Sequence, residues 1–565
     1  MIDMSDSPRC DVLIIGAGLA GLVAAHELTT AGKRVAILDQ ENAHNIGGQA
    51  FWSFGGLFLV NSPEQRRLRI RDSAELAWND WQASAAFDRL DDEDSWAVRW
   101  ARAYVDFAAG EKRSWLASHG ISFLPTVGWA ERGSFSAEGH GNSVPRFHVA
   151  WGTGTGVVGP FVESAHRAVD AGLLDFYHRH RVDELVISAG RVQGVRGSVL
   201  AEDDASRGAA SSREVTGQFD FEVSAVIVTT GGIGGDHQMV RRHWPARLGR
   251  PPRSMLTGVP EHVDGRMLDI AGDAGARLVN RDRMWHYVEG VKNWDPVWPE
   301  HAVRILPGPS SMWFDALGRR LPEPYLPGFD TMGTLKHLRT SAEIAEYDHS
   351  WFIATQSIAR KEFALSGSEQ NPDITERSKR EFIRQRLLGR DATDPVEAFK
   401  THGADFVVAN TLEELVEGMN SLADEAPPLD PATIRAQIRA RDLQMDNPYA
   451  KDAQVMAIHN ARRSLGERLG RTAAPHKILD PAHGPLIGVK LHVLTRKSLG
   501  GIQTDLDSRV LDDDGEAIDG LYAAGEVAGF GGGGVHGYNA LEGTFLGGCM
   551  FSGRAAGRHA AATAG

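Results

Sequence analysis

The sequence predicts an α/β fold, because strand and helix patterns alternate at its start and 63 of its 565 residues are glycine. Residues 11–15 form a short, apolar, β-branched run that is typical of a buried strand. Residues 22–31 have a helical pattern that Gly32 closes, and residues 34–38 form a second buried strand. Clustered glycines indicate backbone that turns sharply or approaches a ligand closely. The chain therefore begins with the strand–turn–helix–strand pattern of a Rossmann-like domain.

Composition and charge exclude several classes of protein. Hydrophobic residues make up 42% and charged residues 24%, which excludes a disordered or fibrous chain. The net charge of −14 argues against nucleic acid as a partner, because a nucleic-acid binder needs a basic face. The longest apolar stretch, residues 12–25, is too short to be an integral membrane segment. No basic amphipathic helix strongly indicates binding to a membrane surface.

The cysteines bear on the compartment. The chain has two, Cys10 and Cys549, which lie at opposite ends of the sequence and form no metal-ligand spacing. A disulfide framework is therefore excluded, which fits a reducing compartment. Residues 1–9 are polar and carry no signal-peptide pattern. We therefore expect a cytoplasmic protein.

The first glycine turn has the composition of a dinucleotide-binding motif. Gly16, Gly18 and Gly21 stand between the first strand and the helix in the spacing G-x-G-x-x-G. Such glycines let the backbone reach a pyrophosphate, and the helix N-terminus supplies N–H groups and partial positive charge. Asp39 ends the second strand, 23 residues after Gly16, where an acid accepts from ribose hydroxyls. The alternative is a structural turn without a ligand, which the complete flanking pattern disfavours.

A second glycine loop favours FAD over NAD as the cofactor. Residues 47–56, GGQAFWSFGG, follow Asp39 within ten residues. A dehydrogenase that uses NAD does not need such a loop, whereas a flavoprotein threads the ring end of FAD along it.

Two further blocks complete a family resemblance. Residues 226–235 read as an apolar strand with a Thr-Gly-Gly turn, and residues 520–526 read as a strand ending at Gly525 and Glu526. The latter are followed by Gly531–Gly534, His536 and an apolar helix over residues 546–556. With the first two glycine blocks, the set resembles the superfamily of FAD-dependent fumarate reductases, succinate dehydrogenases and 3-ketosteroid dehydrogenases. The 3-ketosteroid dehydrogenase-like group is the most similar part of it.

The resemblance implies a domain organisation and a cofactor site. It implies a Rossmann-like FAD-binding domain (1–275 and 478–565) with an inserted α+β capping or substrate domain (276–477). Succinate dehydrogenases attach FAD through a His six residues before a Gly-Gly pair; Gln49 occupies that position, which implies non-covalent FAD. The motifs and the resemblance predict cofactor-binding residues Gly16, Gly18, Leu19, Ala20, Gly21, Asp39, Gln40, Gly47, Gly48, Gln49, Ser53, Gly55, Gly56, Val182, Thr230, Gly231, Gly232, Gly525, Glu526, His536, Asn539, Ala540 and Leu541.

The catalytic candidates follow from the chemistry of the family. Removing two hydrogens next to a ketone needs a base for the proton and a donor that polarises the carbonyl. The resemblance suggests that Tyr538 and the Glu542 N–H hold the keto oxygen. The base would come from the capping domain, where Tyr287, Tyr347 and Arg360 are the candidates, with Tyr325 as a further tyrosine. The alternative for each tyrosine is simple core packing.

The predicted reaction is desaturation, or the reverse reduction, of the carbon–carbon bond beside a ketone, as in a 3-ketosteroid dehydrogenase. We expect a small, apolar, steroid-like substrate and an external electron acceptor, with no metal. Fumarate reductases carry an Arg where this chain has Ala540, and a His where it has Arg496 and Lys497. Two alternatives remain open: a fumarate-reductase-like enzyme acting on a small acid, and an FAD-binding protein without turnover. The residues expected to line a wide apolar cleft are Trp52, Phe54, Phe58, Trp285, Tyr287, Trp294, Trp298, Trp313 and Phe314.

Overall fold

A computed structural model describes residues 10–134, 141–423 and 425–564. Residues 1–9, predicted to carry no signal pattern, lie outside the described part. The strands are β1 (Val12–Ile15), β2 (Val35–Asp39), β3 (Gly56–Phe58), β4 (Phe123–Gly128), β5 (Phe147–Ala150), β6 (Leu174–His178), β7 (His180–Ser188), β8 (Arg191–Leu200), β9 (Val215–Glu222), β10 (Val226–Val228), β11 (Leu256–Thr257), β12 (Leu278–Val279), β13 (Met284–Lys292), β14 (Ala302–Leu306), β15 (Met312–Phe314), β16 (His349–Thr355), β17 (Ala364–Leu365), β18 (Phe406–Ala409), β19 (Leu486–Ser498), β20 (Gly501–Ile502), β21 (Arg509–Leu511) and β22 (Ala517–Ala523).

The α-helices surround these strands. They are α1 (Leu19–Thr30), α2 (Pro63–Arg67), α3 (Ala74–Ala85), α4 (Ser95–Ala109), α5 (Lys112–Ser118), α6 (Thr153–Asp170), α7 (His237–Arg242), α8 (Arg266–Asp273), α9 (Thr331–Thr340), α10 (Gln356–Glu362), α11 (Pro372–Thr375), α12 (Lys379–Phe382), α13 (Asp394–His402), α14 (Leu412–Ser421), α15 (Pro431–Met445), α16 (Ala453–Ala461), α17 (Leu465–Gly470) and α18 (Thr544–Thr563). None of the helices in the described ranges is long and apolar enough to cross a membrane.

The first sheet has nine strands and carries the predicted nucleotide motif. Its main path runs β6-β2-β1-β10-β22-β8-β7, with β21 paired to β22 and β9 paired to β8. The five strands from β6 to β22 are parallel, and the hairpin predicted around residues 181–200 is the antiparallel pair β7–β8. All four residues of β1 are buried, as expected of a central strand with helices on both faces.

Helix α1 packs closely against α18 because both helices are rich in small residues. A Cβ atom at Gly553 would lie 2.4 Å from the carbonyl oxygen of Ala20, and one at Gly557 would lie 2.7 Å from that of Ala24. Helix α1 begins at Leu19, three residues earlier than predicted, since the glycine turn runs directly into its first turn. The two ends of the chain therefore form one layer against the first sheet.

The second sheet belongs to the central part of the chain. Its path is β15-β16-β19-β13-β14-β17, and both β11 and β18 also pair with β19. The sheet therefore includes strands from outside the predicted insert 276–477, because β11 ends before residue 276 and β19 begins after residue 477. The short sheet β3-β5-β4 is separate from both larger sheets.

The turn after β1 gives a prediction about stability. Gly16 has a φ of +103°, and a Cβ atom there would lie 2.8 Å from the Thr229 carbonyl oxygen. Gly16→Ala should therefore lower the free energy of unfolding by roughly 1–3 kcal/mol, measured by thermal denaturation of protein stripped of any bound cofactor.

Gly18→Ala is the matched control for this measurement. Gly18 has a φ of −74°, and its Cβ atom would meet only the Thr229 carbonyl oxygen, at 3.9 Å. Equal melting temperatures for the two variants would contradict the assigned strain.

Candidate active site

A cavity lies at the carboxyl ends of the parallel strands. Ligands of open α/β sheets bind at this edge. Thirteen of the predicted cofactor-binding residues line the cavity: Gly16, Gly18, Leu19, Ala20, Asp39, Gln40, Gly48, Gln49, Val182, Thr230, Gly231, Gly525 and Glu526. The structure therefore brings together residues from four distant sequence blocks.

Gly18 and the start of α1 form the anion-binding part of this cavity. Gly18 is the N-cap residue of α1 and provides no side-chain cap, so the N–H groups of the first helical turn are free to bind a ligand. A Cβ atom at Gly18 would project into open space instead of into protein. This cradle fits a pyrophosphate, which needs close backbone approach and a helix N-terminus.

Asp39 stabilises the glycine turn from within the cavity wall. Its carboxylate accepts the N–H groups of Ala17 at 2.7 Å and Glu41 at 2.8 Å. Burial raises the pKa of this carboxyl group. The ribose-binding role predicted for Asp39 is untested.

Glu41 is a cavity residue that the sequence interpretation missed. It is buried, forms an ion pair with Arg213 at 2.7 Å and accepts a hydrogen bond from the Ser211 hydroxyl at 2.8 Å. An acid two residues after Asp39 was the available signal. Its partners Ser211 and Arg213 belong to the segment 202–213.

Residues 202–213 pack against the wall of the cavity. The Asn42 side chain donates to the carbonyl oxygens of Asp203 and Ala205, at 2.9 and 2.8 Å. The Gly208 N–H donates to Asn45 Oδ1 at 3.0 Å. This segment therefore supports the nucleotide end of the cavity from outside it.

Eight of the predicted cofactor residues line neither this cavity nor the one that adjoins it: Gly21, Gly47, Gly55, Gly232, His536, Asn539, Ala540 and Leu541. The glycines allow close packing; a Cβ atom at Gly21, for example, would lie 2.3 Å from the Gly16 carbonyl oxygen. His536 is buried against Trp81, and burial lowers its pKa to about 3, so its ring is neutral. Neither ring nitrogen of His536 has a hydrogen-bond partner among the described residues.

A second cavity continues from the first. The two share Gln49, Ala50, Glu526 and Cys549. The remaining lining residues are Ser53, Phe54, Gly56, Phe147, Tyr287, Arg304, Leu306, Ser366, Arg496, Lys497, Phe530, Glu542, Gly543, Phe545 and Leu546. Of the aromatics predicted to form the cleft, Phe54 and Tyr287 line it, while Phe147, Phe530 and Phe545 supply further aromatic wall.

Glu526 joins the two sheets at the point where the cavities meet. Its carboxylate accepts the Ser498 N–H, from the end of β19, at 2.8 Å and a Gln49 side-chain N–H at 3.2 Å. Burial raises the pKa of Glu526. Gly232 gives this carboxylate room, since a Cβ atom there would lie 2.2 Å from its Oε1.

Tyr287 enters the second cavity from β13 and rests on a buried arginine. The guanidinium of Arg304 lies 4.0 Å from the centre of the Tyr287 ring. Arg304 donates to Glu542 at 2.7 Å, to Glu131 at 2.6 Å and to Glu289 at 3.2 Å. Burial raises the pKa of the Tyr287 phenol, so this hydroxyl is a hydrogen-bond donor at neutral pH.

Arg496 and Lys497 are the other cations of the second cavity. The Lys497 ammonium lies 4.4 Å from the Phe545 ring centre and 5.8 Å from that of Tyr287. Burial lowers the pKa of Lys497 to about 7, so a substantial fraction of this amine is neutral at physiological pH.

The structure does not bring the other three catalytic candidates to the cavity. The Tyr538 hydroxyl donates to Asp88 at 3.0 Å, and its ring lies between the guanidinium groups of Arg247 and Arg283. Tyr347 is half-buried and follows α9, while Arg360 is exposed on α10. None of these three side chains is among the lining residues of either cavity.

Known proteins share this architecture. A KsdD-like steroid dehydrogenase of Mycobacterium tuberculosis is 60% identical over 99% of this chain and 98% of its own length. A cytochrome-type fumarate reductase of Shewanella frigidimarina is 24% identical over 98% of this chain and 77% of its own length. The crystal structure of 3-ketosteroid Δ1-dehydrogenase from Sterolibacterium denitrificans superposes with a TM-score of 0.67 at 15% identity, covering 98% of this chain and 99% of that one.

The family model described as the FAD binding domain matches residues 11–546. The open cradle at Gly18 and the run of cavities at the strand ends fit such a dinucleotide. The chain therefore belongs to the FAD binding domain family, and FAD is its cofactor.

Proposed function

We propose that this protein is an FAD-dependent dehydrogenase that desaturates the carbon–carbon bond beside the ketone of a steroid-like substrate. The observation that carries the proposal is the second cavity, which adjoins the FAD cavity and brings a phenol and an amine together. The 60% identity to a KsdD-like steroid dehydrogenase supports the substrate class, and the match spans nearly both chains. An external electron acceptor would complete each turnover.

FAD would be held without a covalent bond. Gly18 and the first turn of α1 would bind its pyrophosphate, and Gln49 and Glu526 lie where the two cavities meet. When bound, FAD supplies a hydride acceptor. Gln49 occupies the position at which family members with covalently attached FAD have a histidine. The Cys549 thiol lines both cavities, but burial raises its pKa to about 12, so it is a poor nucleophile.

Tyr287 would polarise the substrate carbonyl. Its phenol is protonated at neutral pH, and the Arg304 guanidinium packs against the face of its ring. The hydrogen bond from a neutral donor in a buried site becomes stronger as negative charge develops on the carbonyl oxygen. Arg304 itself is occupied by three carboxylates, so it acts through Tyr287 and not as a clamp for an acidic substrate.

Lys497 would take the proton from the carbon next to the ketone. Its neutral amine has a lone pair, and its lowered pKa matches the pH at which a general base is most effective. The amine lies near the Tyr287 ring, so one substrate ring can contact both groups. Tyr538, Tyr347 and Arg360 are not assigned a contact with substrate, because they lie outside the cavity.

Tyr287→Phe tests the carbonyl donor. The variant should retain FAD and lose turnover of 3-ketosteroids by about 10²-fold or more, because it removes one hydrogen bond to the developing charge. Steady-state kinetics with an artificial electron acceptor measures this loss. Tyr538→Phe is the matched control and should stay within about threefold of wild type, since its hydroxyl bonds Asp88. If Tyr538→Phe lost more turnover than Tyr287→Phe, the carbonyl donor would be Tyr538 and not Tyr287.

The pH dependence tests Lys497 as the base. Its neutral form increases as pH rises through about 7, so kcat/KM should rise below this pH and level off above it. Lys497→Arg should remove this rising limb and leave a low, flat profile, because arginine stays charged. A rising limb that survives in Lys497→Arg would exclude Lys497 as the base.

Gly18→Ala tests the cofactor site. The added methyl group enters the space for the pyrophosphate while barely contacting the protein, so the variant should fold but lose FAD during gel filtration. The ratio of absorbance at 450 and 280 nm measures retention of FAD.

Acid precipitation of wild-type protein should release all of the yellow cofactor into solution; a yellow pellet would contradict non-covalent binding.

Anaerobic reduction of the bound flavin separates the proposed substrate class from its rival. Addition of 3-ketosteroids should bleach the flavin, and succinate should not. Bleaching by succinate alone would establish the reaction of a small acid. Absence of bleaching by a broad panel of ketones would leave a flavin-binding protein without turnover.

A further inference from the structure

Residues 377–390 form a basic apolar patch on the surface of the protein. Helix α12 continues through a π-helical turn, Ile383–Leu387, before the chain turns at Gly389. Ile383, Leu387 and Leu388 lie on this segment with 46%, 57% and 75% of their area exposed. Large side chains with this much exposure, close together in sequence, indicate a surface that contacts something apolar.

The charge of the patch is opposite to that of the whole protein. Six basic residues and one acid, Glu381, give residues 377–390 a net charge of +5, while the whole chain carries −14. Arg384 and Arg386 form ion pairs with neighbouring acids. For Lys379, Arg380 and Arg390, no ion pair occurs within the described ranges, so these cations remain available to an anionic surface.

The patch is anchored beside the loop that lines the second cavity. The Ser368 N–H donates to the Trp52 carbonyl oxygen, and the Thr375 hydroxyl bonds that of Thr153 at 2.8 Å. The Phe382 ring packs edge-on against Trp151 at 5.9 Å. These contacts connect the patch, and the segment just before it, to the 47–56 glycine loop and to the start of α6.

We propose that the basic apolar patch docks the protein on an anionic lipid bilayer, with its leucines in the interface and its cations at the headgroups. The combination of exposed leucines with flanking basic residues is that of interfacial helical segments. The proposal rests on the proposed function in one respect: a steroid-like substrate concentrates in bilayers, close to the cavity that receives it. The alternative is that the patch binds a protein partner, and vesicles that contain lipid alone distinguish the two.

The patch is a broken helical segment, so a search of the sequence for a basic amphipathic helix does not find it. Residues 375–388 have the sequence of a charged helix, but the structure breaks that helix at Arg377 and widens its end to a π turn. The break lets Phe382 pack inward while Ile383, Leu387 and Leu388 face solvent.

Vesicle co-sedimentation of the FAD-loaded, full-length protein tests the proposal. We expect binding to vesicles of equal parts phosphatidylglycerol and phosphatidylcholine, weaker binding at high salt, and little binding to phosphatidylcholine alone. The double variant Leu387→Glu/Leu388→Glu should lower the partition coefficient by about tenfold or more. Leu443→Glu, on α15 and also 75% exposed, is the matched control and should bind like wild type.

Binding to vesicles is measured without turnover, so its result does not depend on the proposed reaction. Unchanged FAD absorbance and circular dichroism establish that the double variant is folded, and Arg380→Glu/Arg390→Glu provides a second variant that should also lose binding. Failure of wild type to bind anionic vesicles, or equal binding by both double variants and wild type, would overturn the proposal. With steroid supplied in cyclodextrin, both double variants should keep wild-type turnover, and loss of rate only with vesicle-borne steroid would support docking.

Discussion

The parallel pairing of β1, β10 and β22 is the constraint on which the active site depends. Leu13 pairs with Val226, and Val226 pairs with Leu521, so three segments separated by hundreds of residues are fixed in register. Because the strands are parallel, the turns that follow them meet at one edge of the sheet. A one-residue slip would turn each strand's side chains to the other face and separate the glycine turn of β1 from Gly525.

Glu526 extends this constraint to the second sheet. A buried carboxylate is costly unless it accepts hydrogen bonds, and Glu526 accepts them from Ser498 in one sheet's central strand and from Gln49 in the glycine loop. A displacement of β19 relative to the first sheet would therefore leave this carboxylate without its backbone donor. The second sheet is thus tied to the glycine loop where the two cavities meet.

The sequence predicted features that depend on local pattern. The glycine turn, the two strands around it and the hairpin β7–β8 needed only neighbouring residues. Tyr538 shows where local pattern is insufficient: its position in a loop near the flavin block did not determine where its side chain points. That direction is set by Arg247 and Arg283, which hold its ring and lie hundreds of residues away. The support of Glu41 by Arg213 is long-range in the same way.

The charges of the second cavity are consistent with a neutral ketone as substrate. Glu131, Glu289 and Glu542 surround one cation, Arg304, and burial raises the pKa of Glu131 well above its ordinary value. The raised pKa of Glu131 and the lowered pKa of Lys497 both disfavour charge in this part of the protein. Both shifts have the same cause, since an apolar environment disfavours whichever form is charged. The cavity keeps a phenol donor and an amine, the two groups that removing a proton beside a carbonyl requires.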